Sequence, residues 1–239
     1  ALKHVGSQWF VHDQLLNRGG LSLHTPLLNA PTGGAFFSLD TVNALIGLPL
    51  RIFFDPVTTY NWVLMAAVVA AAVGGAALTR TLTHDTFATA LGGLGFALSA
   101  WVLCFPLASG VSETAVFWPL PLILLFARKT WSDPGWMSPI VCGGLLTLQG
   151  LACWSHGITA GLLLLGLTAA ALSVDRSALG DRDRLKRLAG MGTMAVLTAL
   201  PLYLAVSGTV SADDAVKARN LSLFHSAPIG PLAVPEANS

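Results

Sequence analysis

Four long stretches of this sequence contain no charged residue, and this feature limits the possible folds more than any other. They lie between the members of four pairs of charged residues: Asp55 and Arg80, Asp85 and Glu113, Asp133 and Asp175, and Arg187 and Asp213. A helix needs about 20 apolar residues to cross the hydrocarbon core of a bilayer. Three stretches are long enough for one crossing, and the third in chain order is long enough for two. The pattern predicts an all-α protein, a polytopic transmembrane helix bundle.

The composition agrees with this prediction and excludes other classes. Charged residues make up 10% of the chain, against roughly 25% in a soluble globular domain. Hydrophobic residues make up 54%, and the mean hydropathy is +0.67. A net charge of +1, without an aromatic and basic motif, argues against a nucleic-acid partner. The three cysteines lie in apolar runs without zinc-site or redox spacing, so they are interpreted as small buried hydrophobes.

The first 58 residues are mixed in polarity and are predicted to form a loop outside the cytoplasm. Two short segments in this loop, Gly6–Asn17 and Thr41–Phe54, have the pattern of helices that lie along a membrane surface. Pro49 and Arg51 interrupt the second segment, which is also too short to span. The first residues do not have the basic and apolar pattern of a signal peptide, and both ends are predicted to be internal points of a longer polytopic protein.

Residues 59–207 are predicted to form the bundle, followed by a second outer loop at 208–239. The six predicted spans cover residues 60–79, 86–107, 115–127, 137–153, 158–174 and 188–206. In the first span, small residues recur every four positions in two rows, Ala66–Ala70–Gly74 and Ala67–Ala71–Gly75. Small residues at this spacing predict a close approach of neighbouring helices.

The basic residues predict the orientation, because short cytoplasmic loops are rich in Lys and Arg. The short loops 80–85, 128–136 and 175–187 hold eight basic residues, whereas the remaining, much longer loops hold five. The basic loops, including the one around Arg182, are therefore predicted to be cytoplasmic. The loop around Thr32 and both ends of the chain would then lie outside.

With this orientation, most titratable side chains fall on the outer face. Glu113 lies between two predicted spans, where a carboxylate at the mouth of the bundle could bind a metal or an acceptor hydroxyl. His156 lies in a very tight connection on the same side, and His12 and Asp13 are adjacent in the first surface helix. Simpler interpretations stay open for each. Glu113 could be an ordinary loop carboxylate or helix cap, and His156 a loop imidazole hydrogen-bonded to the backbone. His12 and Asp13 could belong to the solvent-facing side of the first surface helix. We predict that all four residues face one outer cavity.

Several sequence stretches carry a resemblance to a known superfamily. The first is a Trp-containing outer helix (residues 9–20) followed by a Gly/Pro link (28–34), and the second is an Asn-to-Leu stretch before the first span (43–50). The third comprises residues 78–82 with the Trp and Trp-Pro segments 97–101 and 117–122 near the next spans. The fourth is a C-terminal stretch that contains prolines (224–235). This order of features resembles the bacterial multi-pass GT-C-type glycosyltransferases, which use sugars linked to polyprenyl phosphate.

The resemblance implies an active site on the outer face and a lipid-linked sugar donor. In that superfamily an acidic residue just after the first transmembrane helix serves the reaction. Here no acidic residue precedes Asp13, so either Asp13 takes that place or the expected acid precedes Ala1.

The expected function is the transfer of a sugar from a polyprenyl-phosphate-linked donor at the outer face of a bacterial inner membrane. Asp13 and Glu113 are the predicted catalytic residues, and His12, Arg51 and His156 are predicted to bind substrate. The cofactor stays open, with a divalent metal as one candidate. A transporter or lipid flippase subunit, or a non-catalytic membrane subunit, is the alternative. Few polar groups at mid-membrane and the lack of an internal repeat favour the transferase.

Overall fold

The computed structural model describes residues 2–19, 24–25, 34–35, 41–99 and 117–209. Within these ranges the regular structure is helical apart from one pair of two-residue strands, which confirms the all-α class. The helices are α1 (Leu2–Asn17), α2 (Thr41–Arg51), α3 (Pro56–Thr83), α4 (Thr86–Ala97), α5 (Pro119–Ser132), α6 (Met137–Ala152), α7 (Trp154–Val174), a 3-10 helix (Arg176–Gly180) and α8 (Arg182–Thr209).

The chain divides into two units. The larger contains residues 1–22 and 37–202, and the smaller contains residues 23–36 and 203–239. In the smaller unit, β1 (His24–Thr25) and β2 (Gly34–Ala35) pair antiparallel, with His24 opposite Ala35. The helix packing and the candidate site described below lie within the larger unit.

Local side-chain chemistry sets the ends of α3. The Asp55 carboxylate accepts hydrogen bonds from the backbone N–H groups of Val57 (2.9 Å) and Thr58 (3.1 Å), and Pro56 occupies the first turn. The helix ends at His84, whose left-handed φ of 54° is one that few side chains adopt. The cap lets α3 begin four residues before the predicted span of 60–79.

Two helices in the described ranges are long and apolar enough to cross a membrane: α3, and the part of α7 from Ser155 to Val174. Helices α4 and α6 are apolar but shorter. The predicted spans 137–153, 158–174 and 188–206 each correspond to one helix, whereas the second span extends into residues outside the described ranges. The six-span topology therefore stays a prediction.

Small residues bring the helices close together, as the sequence predicted. A Cβ atom placed on Gly75 of α3 would lie 2.9 Å from the carbonyl oxygen of Gly92 in α4, and one on Gly93 would lie 2.8 Å from the carbonyl oxygen of Ala72. On another side of α3, a Cβ on Gly74 would lie 3.0 Å from the ring of Pro121 in α5. Glycine at these positions permits the backbones to approach.

A buried cluster joins α5, α6, α7 and α8. Its members are Ile123, Cys142, Ala160, Leu164 and Met191. The Cys142 thiol is fully buried and donates to the carbonyl oxygen of Ile123 at 3.4 Å, which confirms its interpretation as a small core residue.

Contacts at the two ends of α5 define the two ends of the bundle. Next to the first residue of α5, Trp118 packs against the Tyr60–Leu64–Ala67 cluster of α3 and against Val42 and Ala152, from α2 and α6. Near the last residues of α5, Thr130 accepts a hydrogen bond from Arg187 of α8 (3.4 Å). In the described part of the larger unit, α2 and the turn after α6 therefore lie at one end, and the basic residues at the start of α8 lie at the other.

Candidate functional site

Helix α1 turns polar side chains toward the protein interior. His4, Ser7, Gln8, His12 and Gln14 are buried, together with Phe10 and Val11, while Trp9 and Leu16 are exposed. A surface helix usually shows the opposite arrangement, with its polar face outward. Because buried polar groups require hydrogen-bond partners, this face of α1 marks the interior beside α2 and α3 as a polar environment.

His12 is the centre of this environment, with 2% of its surface exposed. Its Nε2 lies 2.7 Å from the carbonyl oxygen of Ala44 in α2. A carbonyl oxygen only accepts, so Nε2 carries the hydrogen and donates it. In the neutral imidazole, Nδ1 is then an acceptor, and it has no hydrogen-bond partner among the described residues.

The surroundings of His12 favour the neutral imidazole. Burial lowers its pKa below the ordinary 6.5, and the positive charge of Arg51 lowers it further, while the hydrogen bond to Ala44 acts in the opposite direction. The net effect is a lowered pKa. At neutral pH the imidazole is therefore uncharged, and its Nδ1 carries a lone pair without a hydrogen-bond partner among the described residues.

Gly47 of α2 lets the backbone approach this imidazole. A Cβ atom at position 47 would lie 3.0 Å from Cγ2 of Val63, 3.1 Å from Cγ2 of Thr59 and 3.7 Å from Cε1 of His12. Thr59 is fully buried, and its hydroxyl oxygen also has no hydrogen-bond partner in the described part of the chain. Two buried polar atoms with unused hydrogen-bonding capacity therefore lie on side chains that flank Gly47.

Asp13 and Arg51 lie on the same two helices but make local contacts. Asp13 accepts a hydrogen bond from Nδ2 of Asn17 (2.7 Å) and pairs with Nε of Arg18 (3.4 Å). Arg51, in the last turn of α2, donates from Nη1 to the carbonyl oxygen of Phe54 (2.6 Å). The structure thus places His12, Asp13 and Arg51, three of the predicted site residues, in α1 and α2.

His156 lies in the first turn of α7, at the same end of the bundle. Its ring packs edge-on against Phe117, with the ring centroids 5.8 Å apart. It also lies beside Cys153, whose thiol is 3.2 Å from the Ser155 hydroxyl. Burial raises the pKa of Cys153, but hydrogen bonds with His156 and Ser155 outweigh that effect and bring the pKa to about 7.

Cys153 is the residue that the sequence interpretation missed. The interpretation as a buried hydrophobe inside the predicted span 137–153 is wrong for this residue, because α6 ends at Ala152 and Cys153 is only half-buried. The available signal was its position three residues before His156, at the break between two apolar runs.

Glu113, the other predicted catalytic residue, lies outside the described residues. Val42 of α2 and Ala152 of α6 share one cluster, which places α2 beside the turn that leads to His156. A single cavity shared by Glu113, His156, His12 and Asp13 stays a prediction.

The described residues bring together no group of three or more His, Cys, Asp or Glu side chains that could hold a metal ion. A divalent metal as cofactor therefore stays a candidate from the sequence alone. Comparison with protein families, curated proteins and solved structures found no match to this chain.

Proposed function

We propose that this chain is a multi-pass membrane protein that transfers a sugar from a polyprenyl-phosphate-linked donor to an acceptor hydroxyl. The membrane setting is supported by the exposure of its apolar helices. Only 33% of the apolar window of α3 and 11% of that of α7 is buried within the protein. A core helix of a soluble protein would be mostly buried, and exposed apolar surface of this extent suits lipid.

The proposed orientation is based on the separation of charge between the two ends of the bundle. All eight basic residues of the loops 80–85, 128–136 and 175–187 belong to the end at which α5 finishes. By the positive-inside rule this end lies in the cytoplasm. The end with α1, α2 and His156 then faces outward, in a bacterial inner membrane, and meets the donor there.

The observation that supports the chemistry best is the buried, neutral His12 with Nδ1 free to accept. In the proposed step, the acceptor hydroxyl oxygen forms a bond to the anomeric carbon of the sugar, and its proton passes to Nδ1 of His12. The bond between the anomeric carbon and the phosphate oxygen breaks, and the electron pair leaves with the polyprenyl phosphate.

Arg51 is proposed to stabilise the additional negative charge on that phosphate, since guanidinium groups bind phosphate oxygens in pairs. Asp13 and Glu113 remain the candidate carboxylates of the site, and His156 remains a candidate for substrate binding. Residues at the charged end have no part in this step.

The test uses the intact protein in membrane vesicles with a set of radiolabelled polyprenyl-phosphate hexoses. Release of polyprenyl phosphate reports the transfer without knowledge of the acceptor. We expect His12→Gln to lower the rate by about 100-fold or more, the usual contribution of a positioned proton acceptor. The control is His84→Asn at the opposite end, because Asn tolerates the left-handed conformation found there.

Three results of this assay would contradict all or part of the proposal. If every donor stays intact with the wild-type protein, the transferase proposal is wrong. If such donors instead change leaflet without being cleaved, the alternative of a lipid flippase subunit is favoured. Equal rates for wild type and His12→Gln would leave a transferase whose proton acceptor is another group.

A further inference from the structure

A second feature lies at the opposite end of the larger unit. A cleft of about 560 Å³ opens between α3, α5, α7 and α8. Its walls are mainly leucines, from all four helices: Leu78, Leu82, Leu124, Leu164, Leu167 and Leu188. Leu164 at its base is buried, whereas Leu82 and Leu167 at its edge are exposed. The volume lies within the range of small-molecule sites, roughly 300–1,000 Å³.

Three polar side chains line the cleft. Arg128 and Ser132 of α5 lie next to Trp131, and Thr168 belongs to α7. Arg128 is exposed and forms no salt bridge within the described residues. Its guanidinium group is therefore available to an anion from outside the chain, and guanidinium is the side chain best suited to phosphate.

Three of the five carboxylates near this end are paired with basic residues, while Asp133 accepts a hydrogen bond from the Ser132 hydroxyl beside the cleft (2.9 Å). Arg184 pairs with Asp175 (3.2 Å) and Asp181 (3.4 Å), and Lys186 pairs with Asp183 (2.9 Å). The three basic loops hold eight basic and five acidic residues, an excess of three positive charges. Because the acids near α8 are paired, the excess favours an anionic ligand at the mouth of the cleft.

We propose that this cleft binds one anionic phospholipid, with an acyl chain along the leucine walls and the phosphate at Arg128. A purely apolar ligand would gain nothing from the guanidinium, and a soluble anion would gain nothing from the leucines. Trp131 is of the residue type enriched where a membrane meets water. The proposal rests on the membrane setting of the proposed function, but not on the sugar transfer.

The experiment measures lipid retention by native mass spectrometry of the intact protein in mild detergent. The probes are dioleoyl phosphatidylglycerol, dioleoyl phosphatidylcholine and glycerol 3-phosphate, which has the phosphate without the chains. We expect one phosphatidylglycerol per chain, weaker retention of phosphatidylcholine, and no competition by glycerol 3-phosphate. Competition by glycerol 3-phosphate would point to a site for a free phosphate and overturn the lipid proposal.

Two variants and one control assign the site. Arg128→Gln should weaken phosphatidylglycerol binding about fivefold, the effect of one basic residue near a lipid surface. Ala171→Phe, which fills the cleft wall, should weaken both lipids. The control Arg176→Gln removes the same charge from an exposed residue of the 3-10 helix outside the cleft and should change little.

Equal effects of Arg128→Gln and Arg176→Gln would show a diffuse surface charge and overturn the proposal, as would equal retention of the two phospholipids. Fractionation of the expressed protein between membrane and soluble material is measured first. Recovery in the soluble fraction would refute the membrane setting itself. Recovery in membranes without phosphatidylglycerol preference would refute only the lipid site.

Discussion

The contact between α3 and α4 permits a sharp test of the packing, because α4 contains two glycines with opposite surroundings. A Cβ atom on Gly93 would lie 2.8 Å from the backbone oxygen of Ala72 and 3.2 Å from Cβ of Ala76. A Cβ atom on Gly95 would have no heavy atom within 4 Å. Gly93→Ala and Gly95→Ala therefore add the same methyl group to the same helix, once into a contact and once into open space.

The size of the effect follows from the distance. Ordinary contacts of a Cβ atom begin at 3.4 Å, so the two backbones must separate by about 0.6 Å at Gly93. A gap of this size loses a quarter to a half of the dispersion energy of each contact it opens. Overpacking costs about 1–3 kcal/mol. The gain of about 1 kcal/mol in helix propensity is common to both variants and cancels in their difference.

The assay compares the thermal unfolding of the two purified variants in one detergent. We expect Gly93→Ala to unfold at a lower temperature than Gly95→Ala. The difference should be about 2–4 °C for each kcal/mol in a domain of this size. Midpoints within 1 °C of each other would refute the close approach of α3 and α4. A lower midpoint for Gly95→Ala would refute the assignment of which face of α4 meets α3.

Three further predictions concern the candidate site and the topology. The pKa of His12 is lowered in the folded protein, so the unfolded chain binds the proton more readily, and the free energy of unfolding should fall as the pH drops below 6.5. His12→Gln should flatten this pH dependence in unfolding measurements, and an unchanged slope of unfolding free energy against pH would contradict the prediction. With Cys153 as the only cysteine, alkylation should reach half its maximal rate near pH 7, and His156→Ala should move that midpoint upward; an unmoved midpoint would separate the two side chains. A membrane-impermeant maleimide applied from outside should label a cysteine at Gly6 and not one at Arg182, and the reverse pattern would invert the proposed orientation.

The existence of the helices could be predicted from the sequence more reliably than their ends. Apolar runs locate α3, α6 and α7 because a long charge-free segment is compatible with few structures. Hydropathy does not show where a helix continues beyond its apolar part. Helix α8 begins at Arg182, six residues before the predicted span, because the Asp181 carboxylate accepts a hydrogen bond from the backbone N–H of Arg184 (3.0 Å). A capping residue within a charged run therefore determined this boundary.

The candidate site was only partly predictable for a related reason. Sequence position identified His12 as a candidate, but could not show that its imidazole is buried against Ala44, 32 residues later in the chain. Such burial depends on how α1 packs against α2. The same limit applies to Cys153, whose thiol is affected by side chains two and three positions further on once the chain turns into α7. Neither effect is visible in composition or periodicity.

The two ends of the bundle differ in the kind of polar group they contain, and this difference limits where each chemistry can occur. At the basic end, the paired carboxylates and the charged Arg128 suit the binding of a fixed anion. At the other end, the Asp13 carboxylate already accepts a hydrogen bond from Asn17 and forms an ion pair with Arg18. The neutral imidazole of His12 has a lone pair that is not engaged by a cation. Within α1 and α2, His12 is therefore the side chain with an unused acceptor atom, Nδ1, for the proton of the acceptor hydroxyl.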